Sequence, residues 1–371
     1  MLLDRTAAIE GARLDLSVRA YTEGRFGLLQ DANSVKHSLP VGGLDESSSA
    51  LADGRPNQNI FPSTQAALFG SALNRRHFGF QHRLTNDPLF AVPQLLQLHE
   101  RMTACGQPGG LAGWDAVQPS PGHKFGQLPK RENVQEAARE ISKGRSLLRL
   151  SGAHEFDPRY KEIHDRILDE AGALAGFPLR RKITWSSMTI LLSSPGIITP
   201  YHIDHQSNLL LQIQGEKDIW LFDPKDRRVL TEDEIERYYA GSVNAADYRE
   251  ALQPAAHHYR LAPGLAVHNP SLGPHWVRNG PGVSVSVSVN FSLGKLEARA
   301  RVYQMNRYLR RIGFSPRPPE RSFLGDCLKS ETMKLMSRRH PKNLEELLDS
   351  VPRRVAARFR AASARSRALL K

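Results

Sequence analysis

From Ile183 onward the chain breaks into short β-prone runs separated by turn residues, and this texture limits its fold more than any other feature. ITWSSMTILL, TPYHIDHQSNLLLQIQG, KDIWLFDP, HYRLAPGLAVHN and HWVRNGPGVSVSVSVNFSL follow one another with little between them. Several short strands at this spacing are the signature of a β-sandwich or jelly roll. SVSVSVNF alternates strictly, and side chains two apart on a strand share a face. One face is therefore apolar, while the other carries Ser284, Ser286, Ser288 and Asn290.

The flanks read differently. Residues 1–58 include SLPVGGLDESSSALADGRPNQN, a Gly-, Ser- and Pro-rich run expected to be a flexible arm. Residues 59–181 mix helices with short strands. Ser63 is placed to cap a helix over TQAALFGSAL, and Asp87 to open another over LFAVPQLLQLHERM. RRHFGFQHRL reads as a strand or turn, and residues 105–130 as loop. Asn133 is placed to cap VQEAAREISKG, SLLRLSG reads as a buried strand, and Asp157 as the cap of PRYKEIHDRILDEAGAL. Residues 182–294 form the β core, and helical periodicity returns over 295–371.

Charge divides the chain at the same place. The formal net charge is +13, but of 51 Lys and Arg and 38 Asp and Glu, 20 and 7 lie from Lys295 onward, leaving 31 of each before it. An acidic partner such as nucleic acid is thus a question for the C-terminal segment alone. Two cysteines, Cys105 and Cys327, exclude a disulfide framework or thiolate cluster and fit a reducing cytoplasm. The charged start MLLDRTAAIEGARLDLSVRA offers no signal-peptide core, and no stretch is long enough to span a membrane.

The chemistry lies in TPYHIDHQSN. His202 and Asp204 are two apart, so on a strand both meet one metal ion. Two histidines and one carboxylate bound on one face of the ion, with open positions opposite, define the non-haem Fe(II) oxygenase site. An antiparallel jelly roll brings a third ligand from far along the chain, and His275, just ahead of the alternating strand, is placed for it. His-X-Asp alone is weak evidence, because a buried His–Asp hydrogen bond is a sufficient structural reason for it. The joint pattern of turn, ligand pair, strand, Gly turn, lysine and distant histidine is far more specific.

ILLSSPGIITPYHIDHQSNLLLQIQGEKDIWLFDP, with LAPGLAVHNPSLGPHWVRN and SVSVNFSLG, resembles the JmjC and cupin-like hydroxylases, nearest to the asparaginyl hydroxylase of hypoxia-inducible factor. The resemblance implies a double-stranded β-helix with flanking N- and C-terminal helices. It also implies Fe(II) as cofactor, 2-oxoglutarate and O2 as cosubstrates, and hydroxylation or demethylation of a protein or peptide side chain. His202, Asp204 and His275 fall on the iron ligands, and no other catalytic side chain is required. Thr199 and Lys217 fall on the residues holding the distal carboxylate of 2-oxoglutarate, and Asn208 and Asn290 on polar residues near the iron-bound end. In the resembled hydroxylase the helices after the barrel make a homodimer.

The sequence departs from that pattern at Leu265, where an acidic residue is usual, at His268, where an aromatic one is, and in the loop SLGPH. His205, His257, His258 and His268 are rival ligands. His205 falls on the opposite strand face from His202, and His257 and His258 fall in an expected loop. Three readings stay open beside a protein hydroxylase: a small-molecule hydroxylase, a cupin without 2-oxoglutarate, and a regulator that binds nucleic acid through its basic tail. For that tail, dimerisation through Leu344, Leu347, Leu348 and Val351 competes with nucleic-acid contact.

Overall fold

The computed structural model describes residues 58–105, 111–113, 120–124, 141–143 and 146–336. Nearly all of the expected N-terminal arm, most of the loop over 105–130 and of the helix after Asn133, and the segment from residue 337 lie outside them.

Two antiparallel sheets face each other. The larger has the order β1-β9-β6-β11-β4-β3-β2, built from β1 (Phe78–Gln81), β2 (Leu111–Gly113), β3 (Ser146–Ser151), β4 (Ile183–Ser193), β6 (Ser207–Gln214), β9 (Leu265–Asn269) and β11 (Ser284–Leu293). The smaller has the order β5-β10-β7-β8, from β5 (Ile198–His202), β7 (Lys217–Leu221), β8 (His257–Leu261) and β10 (His275–Asn279). Strands adjacent in sequence, such as β5 and β6, lie in different sheets, which is the winding of a double-stranded β-helix. The mostly β jelly roll expected from the sequence is the observed fold.

The alternation of β11 decides which side is which. Val285, Val287, Val289 and Phe291 pack with Met188, Ile190 and Leu192 of β4 against a helical layer that includes Leu95, Leu98, Ile163 and Ile167. Those last four lie on α2 (Val92–Ala104) and α4 (Pro158–Leu174); α1 (Ala66–Ala72), α3 (Ala153–Phe156) and α5 (Leu179–Lys182) complete the N-terminal helices. The serine face of β11 is consequently turned into the space between the sheets, where Ser284, Ser286 and Ser288 are buried. A smaller apolar cluster fills part of that space, with Leu210 and Val267 from one sheet and Ile219, Leu221, Leu261 and Val277 from the other. Behind the small sheet, Tyr201 and Trp276 pack on α6 (Glu232–Tyr239), α7 (Gly294–Arg311) and α8 (Phe323–Met336) through Ile235, Tyr239, Ala300, Tyr303 and Met333.

Local signals were followed unevenly. Asp157 caps α4 by accepting from the Arg159 backbone N–H at 3.0 Å, as expected. Ser63 caps nothing, because it lies inside a 3-10 turn, Ser63–Gln65, ahead of α1. Gln65 instead bonds both backbone groups of Gln81 and ties the helix to β1. Asp87 caps a separate 3-10 turn, Pro88–Phe90, and α2 starts only at Val92, where Pro93 fits in the first turn. His257 and His258 lie on β8 rather than in a loop. Among the described residues no helix is long and apolar enough to cross a membrane.

Candidate metal centre

β5 ends at His202 and β10 begins at His275, and these two are direct register partners. The next pair is Val277 with Thr199, so three steps on β5 match two on β10. This bulge re-aims the edge strand. Thr199 and His202, which strict alternation would put on opposite faces, both turn inward with Val277 and His275.

Asp204 lies two residues beyond the end of β5, so the ligand pair expected on one strand spans a strand end and the loop after it. That loop is tied down: the Asp204 carbonyl accepts from the Leu272 backbone N–H at 2.7 Å, with Leu272 itself in the left-handed region at φ 64. Asp204 Oδ2 stands 3.8 Å from His202 Nε2 and 3.8 Å from His275 Nε2, and the imidazole centroids are 4.0 Å apart. One ligand atom from each residue falls within 4.8 Å of the others, and this is the one such His, Cys, Asp or Glu group among the described residues.

The donor chemistry fits a metal ion. His202 Nδ1 is 2.7 Å from the Pro200 carbonyl oxygen, and His275 Nδ1 is 3.0 Å from that of Gly273. A carbonyl only accepts, so each Nδ1 carries the proton and each Nε2 presents a lone pair toward Asp204. Burial, then the neighbouring His202, pulls His275 down to about 4. Asn269 Nδ2 donates to the same Gly273 carbonyl at 2.9 Å and so braces the acceptor that holds the His275 ring. The Asp204 side chain is 41% exposed, which leaves one side of the cluster open to solvent.

Deeper between the sheets, Lys217 is 3% exposed, and burial brings its ammonium down to about 7. Its Nζ donates to Ser286 Oγ at 2.6 Å, and among the described residues that is its single hydrogen-bond partner. Asn208 and Asn290 meet side by side: Asn208 Nδ2 is 2.8 Å from Asn290 Oδ1 and 2.7 Å from Ser288 Oγ. Thr199 sits level with Ile219 across β10, one inward-facing step along the sheet from Lys217.

The rival histidines are engaged elsewhere. His205 is no strand residue; it lies between β5 and β6, with Nδ1 2.9 Å from Tyr239 Oη, and burial lowers it to about 3. Both ring nitrogens of His268 are used, one near the Asn208 carbonyl at 2.8 Å and one accepting from the Asn74 N–H at 3.0 Å. His258 pairs with Asp218 at 2.8 Å, and His257 packs on His77. Sequence reasoning passed over Asn269, Gln212 and the inward turn of Ser286. Gln212 had a signal, a lone amide inside the apolar run LLLQI.

Fold and cluster together define a double-stranded β-helix whose His-Asp-His group is able to hold one metal ion. A family of cupin-like domains matches residues 120–294. None of the curated proteins compared with the chain matches it. Among solved structures, YcfD of Escherichia coli is 15% identical over 75% of this chain and 68% of its own, with a TM-score of 0.40. The same protein, described as a ribosomal oxygenase and solved with cobalt and 2-oxoglutarate, is 13% identical over 76% of this chain and 69% of its own, again at 0.40. The DMSP lyase DddQ of Ruegeria pomeroyi is 14% identical over 29% of this chain, which spans 38% of that protein, at 0.19. At this distance the likenesses say nothing of this chain's chemistry.

Proposed function

We propose that the chain is an Fe(II)- and 2-oxoglutarate-dependent oxygenase that hydroxylates a protein or peptide side chain. The observation that carries this reading is Lys217, a buried amine with one hydrogen-bond partner among the described residues, inside the same barrel as a His-Asp-His cluster. A buried ammonium whose one acceptor is a neutral hydroxyl is costly, and a carboxylate would supply the missing opposite charge. A cupin without 2-oxoglutarate has no use for such a lysine.

His202, Asp204 and His275 would hold iron, Lys217 with Thr199 would hold the distal carboxylate of 2-oxoglutarate, and Asn208 and Asn290 would lie toward its other end. Bound there, the pair would supply O2 activation, with succinate and CO2 as co-products. The chain's own side chains orient and exclude. The two backbone carbonyls fix both histidine tautomers, the cluster of Leu210, Ile219, Leu221 and Val277 keeps water out of the interior, and the exposed side of Asp204 admits substrate. The preference for a protein or peptide rests on the sequence resemblance; a small natural product is the alternative. Two copies would pair through the C-terminal helices, since α8 exposes Phe323, Leu324, Leu328 and Leu335.

The test is succinate release from 2-oxoglutarate with Fe(II), O2 and peptides captured from cell extract on the His202→Ala variant. Turnover stimulated by a captured peptide supports the reading. Metal binding with neither succinate release nor 2-oxoglutarate binding refutes it.

A further inference from the structure

Gln212, Ser286 and Lys217 are linked by hydrogen bonds whose directions are forced. Gln212 Nε2 lies 2.7 Å from the Gln214 carbonyl and 3.1 Å from the Gly215 carbonyl, with Ser284 Oγ at 2.9 Å. Carbonyls only accept, so the amide has one orientation and its Oε1 points away from them. Ser286 Oγ is 2.7 Å from that Oε1. An amide oxygen cannot donate, so the single hydroxyl proton of Ser286 goes to Gln212. What Ser286 then turns toward Lys217 Nζ, 2.6 Å away, is a lone pair. Lys217 has to donate.

The backbone makes the anchor rigid. Gly215 sits at φ 69, and a Cβ there would come within 2.4 Å of the Val283 carbonyl. The turn between β6 and β7 is therefore held to glycine, and it places both anchoring carbonyls under Gln212.

We propose that Gln212 is a positioning residue which, acting through Ser286, commits Lys217 to donating and so makes the deep end of the barrel a receptor for an anionic group. Its use for a dicarboxylate rests on the cosubstrate reading above. Ser286, its proton engaged, is no donor to the ligand, so the anion is held by the remaining N–H groups of Lys217. Other charges nearby are placed differently. Glu216, in the turn before β7, and Asp218 of β7 flank Lys217 and pair with Arg260 of β8 and Arg278 of β10, while Arg149 of β3 stands beside Leu191, the β4 partner of Ser286. None of them adds to the effect of burial on Lys217.

The experiment follows the titration of Lys217 itself, by NMR of protein labelled at the lysine side chains, in wild type, Gln212→Met, Ser286→Ala, Ser286→Thr and the Gln212→Met/Ser286→Ala double variant. Freeing the Ser286 proton or removing its oxygen favours the neutral amine, so the midpoint is expected to fall by about one unit in each single variant. Ser286→Thr should restore it, and the double variant should fall no further than Ser286→Ala, because Gln212 acts through Ser286. A wild-type midpoint in Gln212→Met, or shifts that add in the double variant, would overturn the relay. Should Gln212→Met not fold, Ser286→Ala against Ser286→Thr decides, with equal midpoints in the two counting against the relay. Binding of 2-oxoglutarate to the metal-loaded proteins, measured alongside, is expected to weaken about tenfold wherever the midpoint falls. A relay that behaves as stated in a wild type that binds no 2-oxoglutarate would leave Gln212 in its role and refute the cosubstrate reading instead.

Discussion

His202 and His275 are partners across the β5–β10 ladder, and the irregular step beside them lets Thr199, three residues before His202, share their inward face. A regular β5 would have offered the interior His202 or Thr199 but not both. The bulge is thus what sets the His-Asp-His cluster and the approach to Lys217 along one wall of the barrel.

Removing either histidine should therefore empty the centre without unfolding the sandwich, since neither belongs to its apolar clusters. His202→Ala and His275→Ala are each expected to weaken Fe(II) binding by well over a hundredfold, beyond the 10–100-fold typical of residues that only brace ligands. Metal content after gel filtration and far-UV circular dichroism report the two halves of this expectation.

Gly273 holds the carbonyl that fixes His275, and a Cβ there would fall 1.9 Å from Asn269 Oδ1. Gly273→Ala should push Asn269 away and tilt the ring. The expected result is a loss of metal affinity of about 10–100-fold. Unaltered affinity in a folded Gly273→Ala protein would show that the brace is dispensable.

Lys217 ties function to stability. Its value is about 7 in the folded chain, below the 10.5 of the free side chain, so between those values the unfolded chain binds the extra proton. Stability therefore rises with pH across that window and is lowest, by several kcal/mol at most, below about pH 7. Lys217→Met should flatten that rise and raise the melting temperature at pH 7, while abolishing 2-oxoglutarate binding. Melting curves from pH 6 to 10 test this; a destabilised Lys217→Met protein with the same pH slope as wild type would contradict it.

The fold was legible because strand alternation and turn spacing are local properties, and the serines of β11 announced two unlike faces. Which face was the interior was not, since a row of serines reads as a solvent face until the helices are seen to cover the valines instead. His202, Asp204 and His275 could be named together because side chains suited to a metal ion keep that chemical identity at any separation. Gln212 and Asn269 could not, as a buried amide gains its meaning from partners brought by other strands. The caps show the same limit: Asp157 worked with the chain directly after it, whereas Ser63 lost its helix start to a turn held by Gln65 and β1.

The apolar face of α8 gives the pairing proposal a direct check. Leu328 is 71% exposed and Leu335 85%, so Leu328→Arg costs the isolated chain little and an interface much. Full-length protein is expected to run as a dimer at low and high salt, and Leu328→Arg as a monomer. A wild type that is monomeric in both, with salt-sensitive binding to random DNA or RNA, would favour the nucleic-acid reading of the basic segment.

The central claim is that one metal ion and one 2-oxoglutarate share this barrel. Anaerobic calorimetry of 2-oxoglutarate into Fe(II)-loaded protein measures it most directly. The expected result is one molecule bound per chain, lost in both His202→Ala and Lys217→Ala; an Fe(II)-loaded wild type that takes up no 2-oxoglutarate, or binds it equally after Lys217→Ala, would contradict the account.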